Sequence, residues 1–204
     1  MSKKQIIAAA VAVILAGSVG VLANVLTSND PASAAKKPSH TKTVDATPTQ
    51  AADVVLLPGA AGPVKAGMTK AEAIATGLFD ADVPSTVDGC EPFPLVWKAP
   101  FKGLDVLTTR AGDITSIGVR GAGPTTRSGL GIGSTVADVR AAVKDAKVVE
   151  TGFGQSAIFE HDETTDGWTG YLFNTPVSDL HDDEQVSFIE LTTGAKPEMM
   201  RSGC

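Results

Sequence analysis

The sequence predicts an α+β fold of two tandem modules, each a helix followed by an antiparallel meander. Two observations carry this. Gly67-Met68-Thr69-Lys70-Ala71-Glu72-Ala73 and Gly133-Ser134-Thr135-Val136-Ala137-Asp138-Val139 share the pattern G-x-T-x-A-[ED]-[AV]. Behind each copy stand short runs rich in β-branched and aromatic residues, broken by Gly, Asp and Pro, which read as strands joined by tight turns.

The chain opens on Lys3 and Lys4, an apolar run over residues 6–23 interrupted only by Gly and Ser, and the small-residue triplet Ala32-Ser33-Ala34. That order is expected of a secretory signal peptide over residues 1–34, cut before Ala35. The alternative is an uncleaved anchor, since residues 6–26 come close to the ~20 apolar residues that cross a hydrocarbon core. Either way the chain is expected outside the cytoplasm, secreted or held at the cell surface. A lipoprotein is excluded, because no Cys lies near the end of the apolar run to receive a lipid. Residues 35–62 are rich in Lys, Thr, Pro, Ala and Gln and read as a flexible tether, too poor in large apolar side chains to offset ordering.

The first module is expected over residues 63–124. Thr69 followed three residues on by Glu72 is a capping box: the hydroxyl accepts from the first turn and the carboxylate answers the cap's own N–H. After it come strand-like runs at 94–97, 104–109 and 114–120, with Ala111-Gly112-Asp113 as the turn between the last two. The second module is expected over residues 125–204. Thr135 and Asp138 repeat the capping box, and Val136, Val139 and Val143 form one stripe with Arg140 and Lys144 outside it. Its strand-like runs are 147–151, 156–161, 168–174 and 185–193. One helix over each meander gives two sheets, each covered on one face.

The repeated helix start followed by a meander resembles the repeat of the β-lactamase inhibitory protein superfamily, which also includes small lipoproteins of bacterial outer-membrane assembly. The signal peptide and Thr/Pro tether resemble secreted proteins of high-GC Gram-positive bacteria. The resemblance spans about residues 64–193 and implies an α+β repeat and a possible inhibitor of an enzyme.

Composition bounds the function. The chain has 204 residues, 43% hydrophobic and 20% charged, enough for one large or two small cores. Its formal net charge of -6 and the absence of any long basic run exclude nucleic acid as a partner. Cys90 and Cys204 are the two cysteines. In an oxidising compartment they are expected to pair, with a free thiol or an intermolecular bridge as the alternatives.

Candidate sites are few. The Gly-rich stretch 121–135 precedes a helix but lacks the Lys of a phosphate loop, so it reads as a connector. Gly154-Gln155-Ser156 lacks the closing Gly of a nucleophile elbow, and no catalytic set is expected. His161, Asp162 and Asp166, together with His181, Asp182 and Asp183, could hold a calcium or zinc ion if they converged from adjacent hairpin loops; the alternative reading is hairpin-turn chemistry at Asp166-Gly167 and acids simply solvated in exposed loops. No cofactor is expected. In Trp168-Thr169-Gly170-Tyr171-Leu172-Phe173 apolar residues fall on both faces of a strand, so Trp168, Tyr171 and Phe173 are candidates for contact with an extracellular or envelope protein. The function expected is therefore a non-catalytic binding module working through its sheet faces, with a structural envelope protein or an inhibitor as alternatives.

Overall fold

The computed structural model describes residues 47–86 and 88–199. The expected signal peptide, the first part of the tether and Cys204 lie outside the described residues. Among those described, no helix is long and apolar enough to cross a membrane.

The protein is mostly β, which corrects the α+β expectation. Among the described residues twelve strands form three sheets, and the two α-helices are six and seven residues long. The strands are β1 (Val55–Leu57), β2 (Ala60–Ala61), β3 (Val64–Lys65), β4 (Phe79–Val83), β5 (Phe93–Trp97), β6 (Leu104–Thr108), β7 (Ile114–Val119), β8 (Thr125–Thr126), β9 (Val148–Glu150), β10 (Ser156–Asp162), β11 (Gly167–Phe173) and β12 (Val186–Thr193); the helices are α1 (Lys70–Ala75) and α2 (Val136–Ala142).

Both helices start where the repeated motif places them. Thr69 Oγ1 accepts from the Glu72 amide and Glu72 accepts from the Thr69 amide at 2.8 Å; Thr135 and Asp138 do the same, the return bond measuring 2.9 Å. These bonds hold both carboxyls below their usual ionisation range, the amide of the capping Thr being the largest cause in each. The caps do not, however, organise two modules. The strand order β6-β7-β12-β11-β10-β9 makes one continuous antiparallel sheet, and the seam is β7 against β12, with Val119 opposite Ile189 and Ile117 opposite Leu191. Two separate meanders would leave β7 and β12 as open edges; pairing them satisfies both rows of backbone groups. The β4–β5 hairpin stands as its own two-stranded sheet.

The third sheet, β3-β2-β1-β8, draws on the segment assigned to the tether. Val54-Val55-Leu56-Leu57 is a β-favouring run stopped by Pro58-Gly59, and β8 joins β1 in parallel, Val55 opposite Thr125. Val54, Leu56 and Ala61 are buried, so the folded part begins before residue 62. The two-residue turn Pro58-Gly59 seats on the start of β11: the Gly59 amide donates to the Trp168 carbonyl at 3.0 Å. Gly59 has φ +76°, and a Cβ there would meet Thr193 Oγ1 at 2.8 Å; a Cβ on Gly167 would meet the Pro58 carbonyl oxygen at 2.2 Å. Only glycines allow this approach.

A single apolar cluster unites the three sheets and α2. From the large sheet it takes Ile117, Val119, Ile158, Tyr171, Phe173, Ile189 and Leu191; Val136, Val139 and Val143 come from the second capped segment, and Phe79, Leu95 and Trp97 from the β4–β5 hairpin. The opposite face of the large sheet carries a smaller cluster of Ala157, Leu172 and Phe188, closed by Met199. The chain after β12 turns back across that face. Thr192 donates its hydroxyl to the Ala195 carbonyl, Lys196 sits 4.0 Å over the Phe159 ring, and the Met199 amide donates to Glu190 at 2.8 Å.

Candidate functional site

Tyr171 and Phe173 are fully buried in the main core, so they are not contact residues for a partner. The alternation read from the sequence is right, but the face holding these two rings is covered by α2 and the small sheet, and the other face by the returning chain. Trp168 is half-buried, with its ring stacked on His161 at 4.1 Å between centroids.

The expected metal ligands do not converge. His161 and Asp162 are successive residues of β10 and project to opposite faces. His161 Nε2 lies 3.0 Å from Asp166 Oδ1, whereas Asp162 accepts from the Thr164 amide at 2.9 Å and from the Thr164 and Thr165 hydroxyls at 2.6 and 3.0 Å. His181, Asp182 and Asp183 lie beyond the far end of β11, separated from the first group by roughly 20 Å of strand. There the loop serves α2: the Asp182 and Glu184 carbonyls accept from the Ala137 and Val136 amides, and the Asp182 carboxylate pairs with Arg140. No group of three or more His, Cys, Asp or Glu side chains among the described residues is placed to hold a metal ion. Cys90, in the loop between β4 and β5, is half-buried.

What the fold does build is a cleft of about 850 Å³ where the small sheet meets the end of β10. Its floor is apolar: Leu57 on β1 and Ala60 on β2 stand directly opposite each other and share the face turned away from the core, beside the Pro58-Gly59 turn. One wall is acidic. Ile158, Glu160 and Asp162 share a face of β10 by alternation; Ile158 is in the core, and the next two positions run out of it into the cleft. Lys65 on β3 and Arg127 in the turn after β8 also line the cleft, from opposite edges of the small sheet. That turn is fixed by its own bonds, since the Leu130 amide donates to Thr126 Oγ1 at 3.0 Å and the Thr126 amide to the Leu130 carbonyl at 2.8 Å.

The two carboxyls have opposite tendencies. Burial pushes Glu160 above the usual carboxylate range; the hydroxyl of Tyr171, which donates to it at 3.2 Å, partly opposes this, and the charge of Asp162 adds to it. Asp162 is held below its usual value, first by the Thr164 hydroxyl and then by the Thr164 amide and the Thr165 hydroxyl. Burial and the nearby Glu160 push the Tyr171 hydroxyl far up, so it remains a donor at any ordinary pH. Thr169, directly across from Glu160 on β11 and therefore on the same face, is buried, and its hydroxyl has no hydrogen-bond partner. A half-buried acid beside a dry hydroxyl has bonding capacity that no side chain of the wall uses.

Glu160, Lys65 and Arg127 were not singled out by sequence reasoning. The signal for Glu160 was present, as the acidic member of an Ile-x-Glu-x-Asp alternation next to a buried Tyr. Lys65 and Arg127 gave none, because each stands at or beside a strand of only two residues, too short for alternation to show. The chain matches no family model, no curated protein and no solved structure.

Proposed function

We propose that this chain is an exported, non-catalytic binding module that takes a small ligand, or the exposed end of a larger envelope molecule, in the cleft between β1–β3 and β10. The supporting observation is the cleft itself: its volume of about 850 Å³ falls within the range of small-molecule sites, and it combines an apolar floor with a few convergent polar groups. The signal peptide expected from the sequence and the lack of a long basic run support a ligand among extracytoplasmic molecules over nucleic acids. Contact through a sheet face gives way to the cleft in this reading, because both faces of the large sheet are covered.

The test is amide chemical-shift mapping with a panel of soluble fragments. Shifts are expected on residues 56–60, 65, 126–128 and 160–165. Ser128→Trp, an exposed position at the cleft mouth, should abolish them while leaving the thermal midpoint within a degree or two. Shifts centred elsewhere, or unaffected by that substitution, would sink the assignment.

A further inference from the structure

We infer that the chain after β12, residues 194–199, is a redox-sensitive strap: Met199 latches it, as a thioether, across the face of the large sheet turned away from the main core, and oxidation of that sulfur by a peroxide releases it and uncovers the apolar side chains beneath. The device stands apart from the cleft and holds whatever binds there.

The latch is built from both sides. Gly170, in the middle of β11, leaves a notch: a Cβ there would meet Met199 Sδ at 2.3 Å and Cε at 3.2 Å, so only a glycine admits the thioether. Ala157, Leu172 and Phe188 complete the notch, Phe159 packs beside it, and Met199 is 3% exposed. The strap bends its own backbone to get there. Met199 has φ +60°, in the left-handed region that a long side chain disfavours, and its amide donates to Glu190. Pro197 is buried two positions earlier, whereas Lys196 and Glu198 are exposed.

The rest of the attachment is light. The Gly194 amide bonds the Asp166 carbonyl at the root, but among the described residues no backbone-to-backbone bond ties positions 195–199 to the sheet. A segment held by side chains, with no ladder, opens at a lower free energy than the strands under it, and each opening exposes the sulfur. Hydrogen peroxide then transfers one oxygen: the S–O bond forms as the O–O bond breaks, sulfur gives up two electrons, and the peroxide leaves as water. The sulfoxide is larger and carries a strong acceptor. The side chains around the notch, Ala157, Leu172, Phe188 and Phe159, have no donor for it, so reseating would bury that oxygen unpaired. Met68, the other described methionine, lies between β3 and α1 against the main core, away from the strap.

The test treats the full chain with hydrogen peroxide and reads oxidation at each methionine by peptide mass mapping. Hydrogen exchange at the Met199 amide and the fluorescence of an anilinonaphthalenesulfonate dye report the strap. With Met199 converted to sulfoxide, exchange at its amide should quicken by about tenfold or more and dye emission should rise. Met199→Leu keeps the bulk without the sulfur and should show neither change under the same treatment, although its other methionines are oxidised. Met199→Gln puts a polar group in the notch and should show both changes without peroxide. Protection retained in the sulfoxide-bearing protein overturns the inference. A Met199 that stays reduced while Met68 is oxidised does so too, as does a Met199→Leu variant that responds like the parent.

Discussion

The contact between the Pro58-Gly59 turn and the start of β11 positions one end of the cleft, and Gly167→Ala tests it directly. An added Cβ would stand 2.2 Å from the Pro58 carbonyl oxygen and 2.6 Å from its carbon, where 3.0 Å is the practical limit, so the turn must retreat by about 0.8 Å. The obstruction is backbone, which cannot swing aside as a flexible side chain would. Gly167 does not occupy the left-handed region, so Ala carries no conformational penalty of its own. Overpacking of this kind costs about 1–3 kcal/mol, and loosening the bond from the Gly59 amide to Trp168 adds about 1 kcal/mol. For a protein of this size a loss of about 3 kcal/mol lowers the thermal midpoint by about 6–12 °C. Gly129→Ala is the control. It sits at φ +87° with open space around it, so it reports the cost of the left-handed backbone alone, about 1 kcal/mol. Calorimetry of both variants checks the expectation. If Gly167→Ala melts with the parent protein, or falls no further than Gly129→Ala, the seating of the small sheet on β11 is wrong, and the cleft falls with it.

Phe173→Ala should cost about 3–5 kcal/mol in urea unfolding, since the ring is fully buried in the main core; a variant as stable as the parent would return Phe173 to the surface role first expected of it. Thr135→Ala removes one side of the capping box on α2 and should cost about 1 kcal/mol, with a matching loss from Thr69→Ala at α1; no change at either site would mean that packing alone holds the helix. Glu160→Gln should become more stable than the parent as pH rises. The folded-state ionisation of Glu160 is raised, so the stability associated with its protonated form is complete below the ordinary carboxylate range and is lost as pH climbs through the raised value. The neutral amide is spared that loss. Thermal midpoints measured from pH 4 to pH 8 should therefore separate in favour of the variant, and a constant gap would show that burial does not disfavour the charge.

Local signals in the sequence were read well and non-local ones were not. The runs at 104–109, 114–120, 156–161 and 168–174 coincide with β6, β7, β10 and β11 to within a residue or two, because β-branched and aromatic residues alternate there between clear turns. The capping motifs are equally local. The seam between β7 and β12 joins residues about 70 positions apart, and no pattern within either strand announces it. The strands of the small sheet are two or three residues long, below the length at which period-2 alternation is legible, and β1 finds its parallel partner β8 inside a Gly-rich stretch read as a connector. The metal reading failed for a local reason that was available. Adjacent residues of a strand point to opposite faces, so His161 and Asp162 cannot ligate one ion while both belong to β10.

The same alternation ties stability to the proposed site. On one face of β10 and β11, Ile158, Tyr171 and Phe173 fill the core, and the next position outward on β10 is Glu160. Tyr171 is thus core by its ring and cleft by its hydroxyl, and it sets how far Glu160 is dried. An acid at that depth destabilises the fold at neutral pH, and a Gln would fit the same space without the charge. Lys65 and Arg127 carry no comparable cost, because they are exposed and keep their hydration. A ligand group that donates to Glu160 would recover part of what burial took away, so Glu160→Gln should weaken a ligand held there while making the free protein more stable at neutral pH; a variant that loses stability without touching cleft binding would leave Glu160 with a purely structural part.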